Sequence, residues 1–181
     1  MFKIKKLLTI TMVLTALVSV SGCVTPASAI DRSANESLQE FRGQVNGAQV
    51  FLDQAAGYLV FPRVYKAGLG IGGETGEGVL RVGGSTVDYY RVAAGSFGFQ
   101  LGAQAKSMVI VFMTREALGR FRGSEGWRVG VDGSVALIDV GVGKTIDTDN
   151  VRDPVVGFIY GSTGLMYNLT LEGTKFTKVT R

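Results

Sequence analysis

Glycine is the residue that most restricts how this chain can fold. Of its 26 glycines, 23 fall between Gly57 and Gly173, in a stretch otherwise rich in β-branched and aromatic residues. Each glycine costs a helix about 1 kcal/mol relative to alanine, so long helices are disfavoured there. In strands the same residue marks bulges, tight turns and close backbone approach. The pattern predicts strands near 66–73, 77–83, 86–92, 94–104, 107–113, 129–142, 155–162 and 165–172, joined by turn residues. One helical interruption is expected from Thr114 to Phe121, with Thr114 as its N-cap.

Two of these segments decide the architecture. Met108 to Met113 is apolar without a break, and Val135 to Val140 is broken only by Asp139. Strands apolar on both faces need cover on both sides, as in a closed barrel or a sandwich with a helix packed against it. Ahead of the strands, apolar residues recur at 38, 41, 45, 48, 52, 55 and 59, the spacing of one helix face. Ser33 or Asn35 would cap this helix, Gly43 and Gly47 weaken it, and it should end near Gly57, where Tyr58 to Pro62 reads as a short strand. The expected fold is therefore α+β and mainly β: a glycine-rich antiparallel barrel or sandwich, an N-terminal amphipathic helix and one short internal helix.

The N-terminus carries an export pattern. Lys3, Lys5 and Lys6 precede an apolar stretch from Leu7 to Val20, followed by Ser21, Gly22 and Cys23. Fourteen helical residues would cover about 21 Å, short of the roughly 30 Å of a bilayer core, which favours a cleaved signal over a membrane span. Val20-Ser21-Gly22-Cys23 resembles the lipobox of bacterial lipoproteins, in which the cysteine thiol is acylated and becomes the new N-terminus. Cleavage after Ala29, by the small-residue pattern of Ala27-Ser28-Ala29, is the alternative and would release a soluble periplasmic protein. The preferred division is a signal peptide at 1–22, a tether at 23–35 and one domain at 36–181. Val24 stands where an inner-membrane retention signal would place aspartate, so the expected location is the outer membrane, facing the periplasm. Loss of the three lysines would leave 16 basic against 15 acidic residues. The high isoelectric point is then mostly a targeting signal, and nucleic acid is not an expected partner.

Missing residue types narrow the chemistry further. The chain has no histidine and one cysteine, which argues against Cys/His metal sites, disulfides and a Ser-His-Asp triad; no enzyme activity, metal or cofactor is expected beyond lipid on Cys23. Gly68 to Gly73 fits G-x-G-x-x-G, with Asp88 at a ribose-binding distance, but strand-like residues follow where a nucleotide site needs a helix, and Glu74 and Glu77 would repel phosphates. A glycine-rich hairpin is the better reading. Gly141 to Thr145 lacks the first glycine of a phosphate-binding loop, and the acids at Asp132, Asp139, Asp147, Asp149 and Asp153 lack a calcium-loop pattern.

Several ordered blocks carry a family resemblance. They are Val60 to Leu80 (VFPRVYKAGLGIGGETGEGVL), Ala94 to Gln104 (AGSFGFQLGAQ), Phe112-Met113-Thr114, Gly126 to Ser134 (GWRVGVDGS) and Gly173 to Phe176. Together they resemble the SYLF-domain family, and the lipobox makes the chain similar to its bacterial lipoprotein branch. The resemblance implies a lipid-binding domain. Eukaryotic relatives bind phosphoinositides, partly through an amphipathic N-terminal helix, and yeast members also bind actin. For a bacterial member it implies binding to anionic membrane lipid, and it brings no catalytic residues. The headgroup candidates are Lys66, Arg81, Arg91, Lys106, Arg115 and Arg122. Convergence of Lys66, Arg81, Arg91 and Lys106 on one patch would favour lipid; dispersal would favour a structural or assembly lipoprotein that binds another envelope protein. Replacing Cys23 with serine should abolish metabolic palmitate labelling, and labelling that persists would show that the anchor lies elsewhere.

Overall fold

A computed structural model describes residues 24–140, 153–164 and 171–181, with backbone alone at 96–101 and 139. Helix α1 spans Ala27–Gln44 and helix α2 spans Ala48–Gln54. Two long strands follow, β1 (Gly57–Val82) and β2 (Ser85–Phe112). Helix α3 (Arg115–Gly123) then precedes β3 (Trp127–Arg128), β4 (Ala136–Asp139), β5 (Val155–Gly164) and β6 (Lys175–Val179). The mainly β, α+β architecture expected from the sequence is the one observed, in the form of a single curled sheet.

The helical face is where the spacing placed it, but the helix is not one rod. Leu38, Phe41, Val45, Ala48 and Leu52 are all buried. Gly47 sits in the left-handed region at φ 89° and starts α2 on a new axis. The expected tether is also shortened. Helix α1 begins at Ala27, and Ile30 and Ala34 are buried, so 27–35 belongs to the folded body. Neither proposed cap operates at its start: Pro26 occupies the N-cap position, its carbonyl accepting from the amides of Ala29 and Ile30 at 3.0 and 3.2 Å.

The strands expected at 66–73 and 77–83 are parts of β1, and those at 86–92, 94–104 and 107–113 are parts of β2. These two strands pair antiparallel along their length, from Gly57 opposite Phe112 to Val82 opposite Ser85. Gly83 and Gly84, at φ 57° and 81°, form the two-residue turn that the strand twist favours. Register shifts at Phe61/Val64, Leu69/Ile71 and Leu80/Arg81 bend the hairpin without ending it. The glycine-rich segment 68–73 is therefore a bent strand, not a hairpin of its own. The helix expected at 114–121 forms as α3, and the Thr114 hydroxyl accepts from the Ala117 amide at 3.1 Å.

Strand β2 is the spine of the sheet, whose order is β3-β6-β2-β5-β4 with β1 also on β2. The first part of β2 pairs with β6 and the last part with β5. The β4–β5 pair is parallel, an exception to the antiparallel expectation. Strand 129–142 is reduced to the Val129–Gly133 bridge and β4, with 141–142 outside the described residues. Most of 165–172, the Gly141–Thr145 segment, Asp147 and Asp149 also lie outside them.

Both faces of the sheet are covered, as the unbroken apolar runs require. Met108, Ile110 and Phe112 point to the concave side, with Leu59, Phe61, Leu80, Trp127 and Phe176. Phe121 of α3 plugs that side, its ring 4.7 Å from Phe112 and 4.9 Å from Tyr90. Val109 and Val111 point the other way, under α1 and α2, with Val60, Val156, Phe158 and Tyr160. Phe41 and Phe51 meet Phe158 edge-on at 5.1 and 5.0 Å. The Tyr160 hydroxyl pins α1 by donating to the Ser37 carbonyl at 2.9 Å.

The two limbs of β1 double back on each other at glycines. A methyl group on Gly78 would lie 2.2 Å from the Val60 carbonyl oxygen, and one on Gly76 would lie 2.7 Å from that of Arg63. Gly78→Ala should therefore destabilise by about 3 kcal/mol or more in denaturant unfolding. Gly95→Ala, where nothing stands within 4 Å, is the matched control and should stay within about 0.5 kcal/mol of the parent.

Candidate functional site

The bend joins the two limbs of the hairpin at one end of the sheet, and there the concave side changes character. Beyond Val64 its lining turns polar: Lys66, Glu74, Gln104 and Lys106 are all buried. Lys66 lies opposite Gln104, Lys106 follows Ala105 on the same limb of β2, and Glu74 lies opposite Ala94 on the other limb. The Lys106 ammonium meets the Glu74 carboxylate at 2.9 Å, with side chains only 2% and 5% exposed. This ion pair ties one limb to the other across the fold. Removing two charges from water is costly, so the pair depends on both partners being present.

A groove opens beside the same end, between α1 and the two limbs of β1. It measures about 530 Å³, within the roughly 300–1,000 Å³ of small-molecule sites. Ala29, Ile30, Pro62 and Tyr65 supply its apolar wall, and Arg63 and Arg91 stand among its lining residues. Glu77 organises one side. It accepts from Arg91 at 2.9 Å, from Arg181 and from the Thr25 hydroxyl. Burial pushes the Glu77 carboxyl up, but the Arg91 hydrogen bond, the Arg181 charge and Thr25 outweigh it and hold it below its ordinary value.

Helix α1 lies along the second limb of β1 in the same direction. Thr25 is at Glu77, Asp31 accepts from Tyr89 (opposite Val79) at 2.7 Å, and Asn35 accepts from Arg81 at 2.7 Å. The N-terminal end of α1 therefore points at the bend. Its apolar face is already spent on the sheet through Ile30, Ala34, Leu38 and Phe41. A membrane role for that face, which the family resemblance implied, has no free apolar surface to use while α1 stays docked.

The six headgroup candidates do not form one patch. Lys66 and Lys106 are buried under the bend. Arg81 is held by Asn35 on α1, and Arg91 by Glu77. Arg122, in the last turn of α3, meets Asp88 at 3.4 Å, and Lys178 reaches the same carboxylate. Arg115 is exposed at the first turn of α3. Cys23 lies outside the described residues. Asp88 thus serves as a counter-charge. Of the other acids, Asp132 accepts from the Arg128 amide at 2.6 Å. Among the described residues, no group of three or more acids could hold a metal ion, and no helix is long and apolar enough to cross a membrane.

Arg63 and Tyr65 were not singled out by the sequence, and Glu77 only as an acid that would repel phosphate, although the block Val60–Leu80 contains all three. Nothing local distinguishes them, because α1 completes the groove from a distant part of the chain.

Residues 93–181 match the family model for Ysc84, described as a Las17-binding protein actin regulator. Residues 93–181 belong to the SYLF-domain family. The match takes in β2 from Ala93, α3 and every later strand, and so includes four of the five blocks quoted above. The fifth, Val60–Leu80, precedes the matched residues but pairs with them as β1 along β2. No curated protein matches the chain.

The ion pair under the bend of this SYLF domain gives a direct test. Lys106→Met should cost about 3–5 kcal/mol in denaturant unfolding, because it leaves the Glu74 carboxylate buried without its counter-charge. Glu74→Met added to it should recover most of that loss, whereas two additive losses would mean that the groups do not act as a pair.

Proposed function

We propose that this SYLF domain is a membrane-tethered, non-enzymatic lipid-binding module, anchored through acylated Cys23 on the outer membrane and facing the periplasm. The observation that carries the reading is the groove at the N-terminal end of α1. Its apolar wall suits an acyl chain, and Arg63 and Arg91 suit an anionic headgroup. It replaces the six-residue headgroup site expected from the sequence, of which only Arg91 lines the groove. The groove lies at the end where the chain leaves α1 toward Cys23, so a lipid would enter from the membrane that holds the protein.

A second reading has its own support. The headgroup candidates are dispersed, and Lys106, Arg81, Arg91 and Arg122 are engaged by neighbouring side chains. The family description also names a protein-binding regulator. A structural or assembly lipoprotein that binds another envelope protein fits those facts. In-cell crosslinking followed by mass spectrometry should then trap a stoichiometric partner.

Native mass spectrometry of the delipidated protein, mixed with phosphatidylglycerol, cardiolipin or a phosphoinositide, separates the two readings. The lipid reading expects one bound lipid, displaced by Ser33→Trp, which fills the groove from its exposed rim. Absence of binding to all three would overturn it.

A further inference from the structure

The bend end has an organisation that the groove does not explain. Residues 67–73 and 92–105, which form the two strands there, contain no charged residue. Leu69 and Ile71 project from this end, 76% and 69% exposed, and are among the most exposed large apolar side chains described. They flank Gly70, which has φ 75° at the register shift between Leu69 and Ile71. Two residues apart on one strand, they point to the same side, which here faces outward. Pairing continues up to each side of the bend, with Leu69 opposite Leu101 and Ile71 opposite Phe97, and on this limb only Gly70 stands between the two pairs. A paired backbone is the condition under which a β segment can leave water at little cost.

Behind this apolar tip the side chains change in order. Tyr65, 56% exposed, comes next along the first limb, followed by exposed Arg63, with Arg91 on the neighbouring strand. Aliphatic tip, tyrosine, then arginine is the sequence of environments met on passing outward from acyl chains through the interface to phosphate headgroups. The direction of the chain agrees. Glu77, which holds Thr25, stands about 20 Å of strand from Ile71, and α1 points its N-terminal end at the bend. The path toward Cys23 and the uncharged tip therefore lie at the same end of the molecule.

We propose that the bend end is a membrane-inserting edge. Leu69 and Ile71 enter the acyl region, Tyr65 lies at the interface, and Arg63 and Arg91 stand at headgroup level. The occupant is the bilayer itself. This rests on the membrane-tethered reading and adds the face on which the domain docks, bringing the groove mouth to the lipid surface.

The acylated full chain, with a single cysteine introduced at 69, 71, 65 or 87 and labelled with an environment-sensitive fluorophore, is reconstituted into phosphatidylcholine–phosphatidylglycerol vesicles. Val87, 41% exposed beside the Gly83–Gly84 turn at the far end of the hairpin, is the aqueous reference. Burial of two aliphatic side chains makes the exposed state a minor one, so access of a water-soluble quencher to 69 and 71 should fall by about tenfold relative to 87. The label at 65 should be intermediate, and Leu69→Asp should restore quenching at 71. Labels at 69 and 71 as accessible as the one at 87, in protein that stays with the vesicles, would overturn insertion and leave tethered lipid binding standing. Protein that does not stay with the vesicles would overturn both.

Discussion

The fold depends on one close crossing. Strand β1 passes over itself where Gly76 and Gly78 face Val60 to Val64, with no room for a side-chain carbon. That contact lets a hairpin of two very long strands double back, so that its limbs enclose a core that neither could bury alone. The other parts follow from it. Strand β2, paired with β1 throughout, carries β6 on one limb and β5 on the other, while α3 plugs the concave side and α1 and α2 cover the convex one. Glycine here acts by absence of volume more than by conformational freedom, since neither Gly76 nor Gly78 needs a left-handed backbone.

Doubling the hairpin also decides what happens to the charges. At the bend the limbs come together over polar residues, and the Lys106–Glu74 pair closes the apolar core from inside. Other cations are engaged by acids or amides that the fold delivers from elsewhere: Arg81 by Asn35, Arg91 by Glu77, and Arg122 and Lys178 by Asp88. The expected basic residues thus build no single basic face: Lys66 and Lys106 are internal, and Arg81, Arg91 and Arg122 are held by neighbours, which leaves them little power to attract a charged surface.

What the fold leaves facing out is more selective. Helix α1 has spent its apolar face on the sheet, so beyond Val24 the exposed aliphatic surface at the N-terminal end of α1 comes from Leu69 and Ile71 at the bend of β1. The groove beside it is completed by α1, whose position is fixed by Asp31, Asn35 and Ser37. Docking and lipid capture, as proposed, would use adjoining surfaces and need no catalytic group.

The sequence by itself determined the composition of the layers. The unbroken apolar run Met108–Met113 required cover on both faces, the spacing from Leu38 to Leu52 marked the helical face, and Thr114 marked the start of α3. These are local signals, read from side-chain periodicity and capping. The blocks from Val60 to Phe176 also sufficed to reveal the SYLF family. Only the tertiary structure decided where strands ended, because a glycine bulge and a glycine turn look alike until the partner strand is known. It also decided that Lys66 and Lys106 go inward, that 27–35 is helix, and that Tyr65 and Arg63 meet α1 across a groove. Those outcomes depend on the crossing of β1 over itself, a contact between residues far apart in sequence that no local pattern encodes.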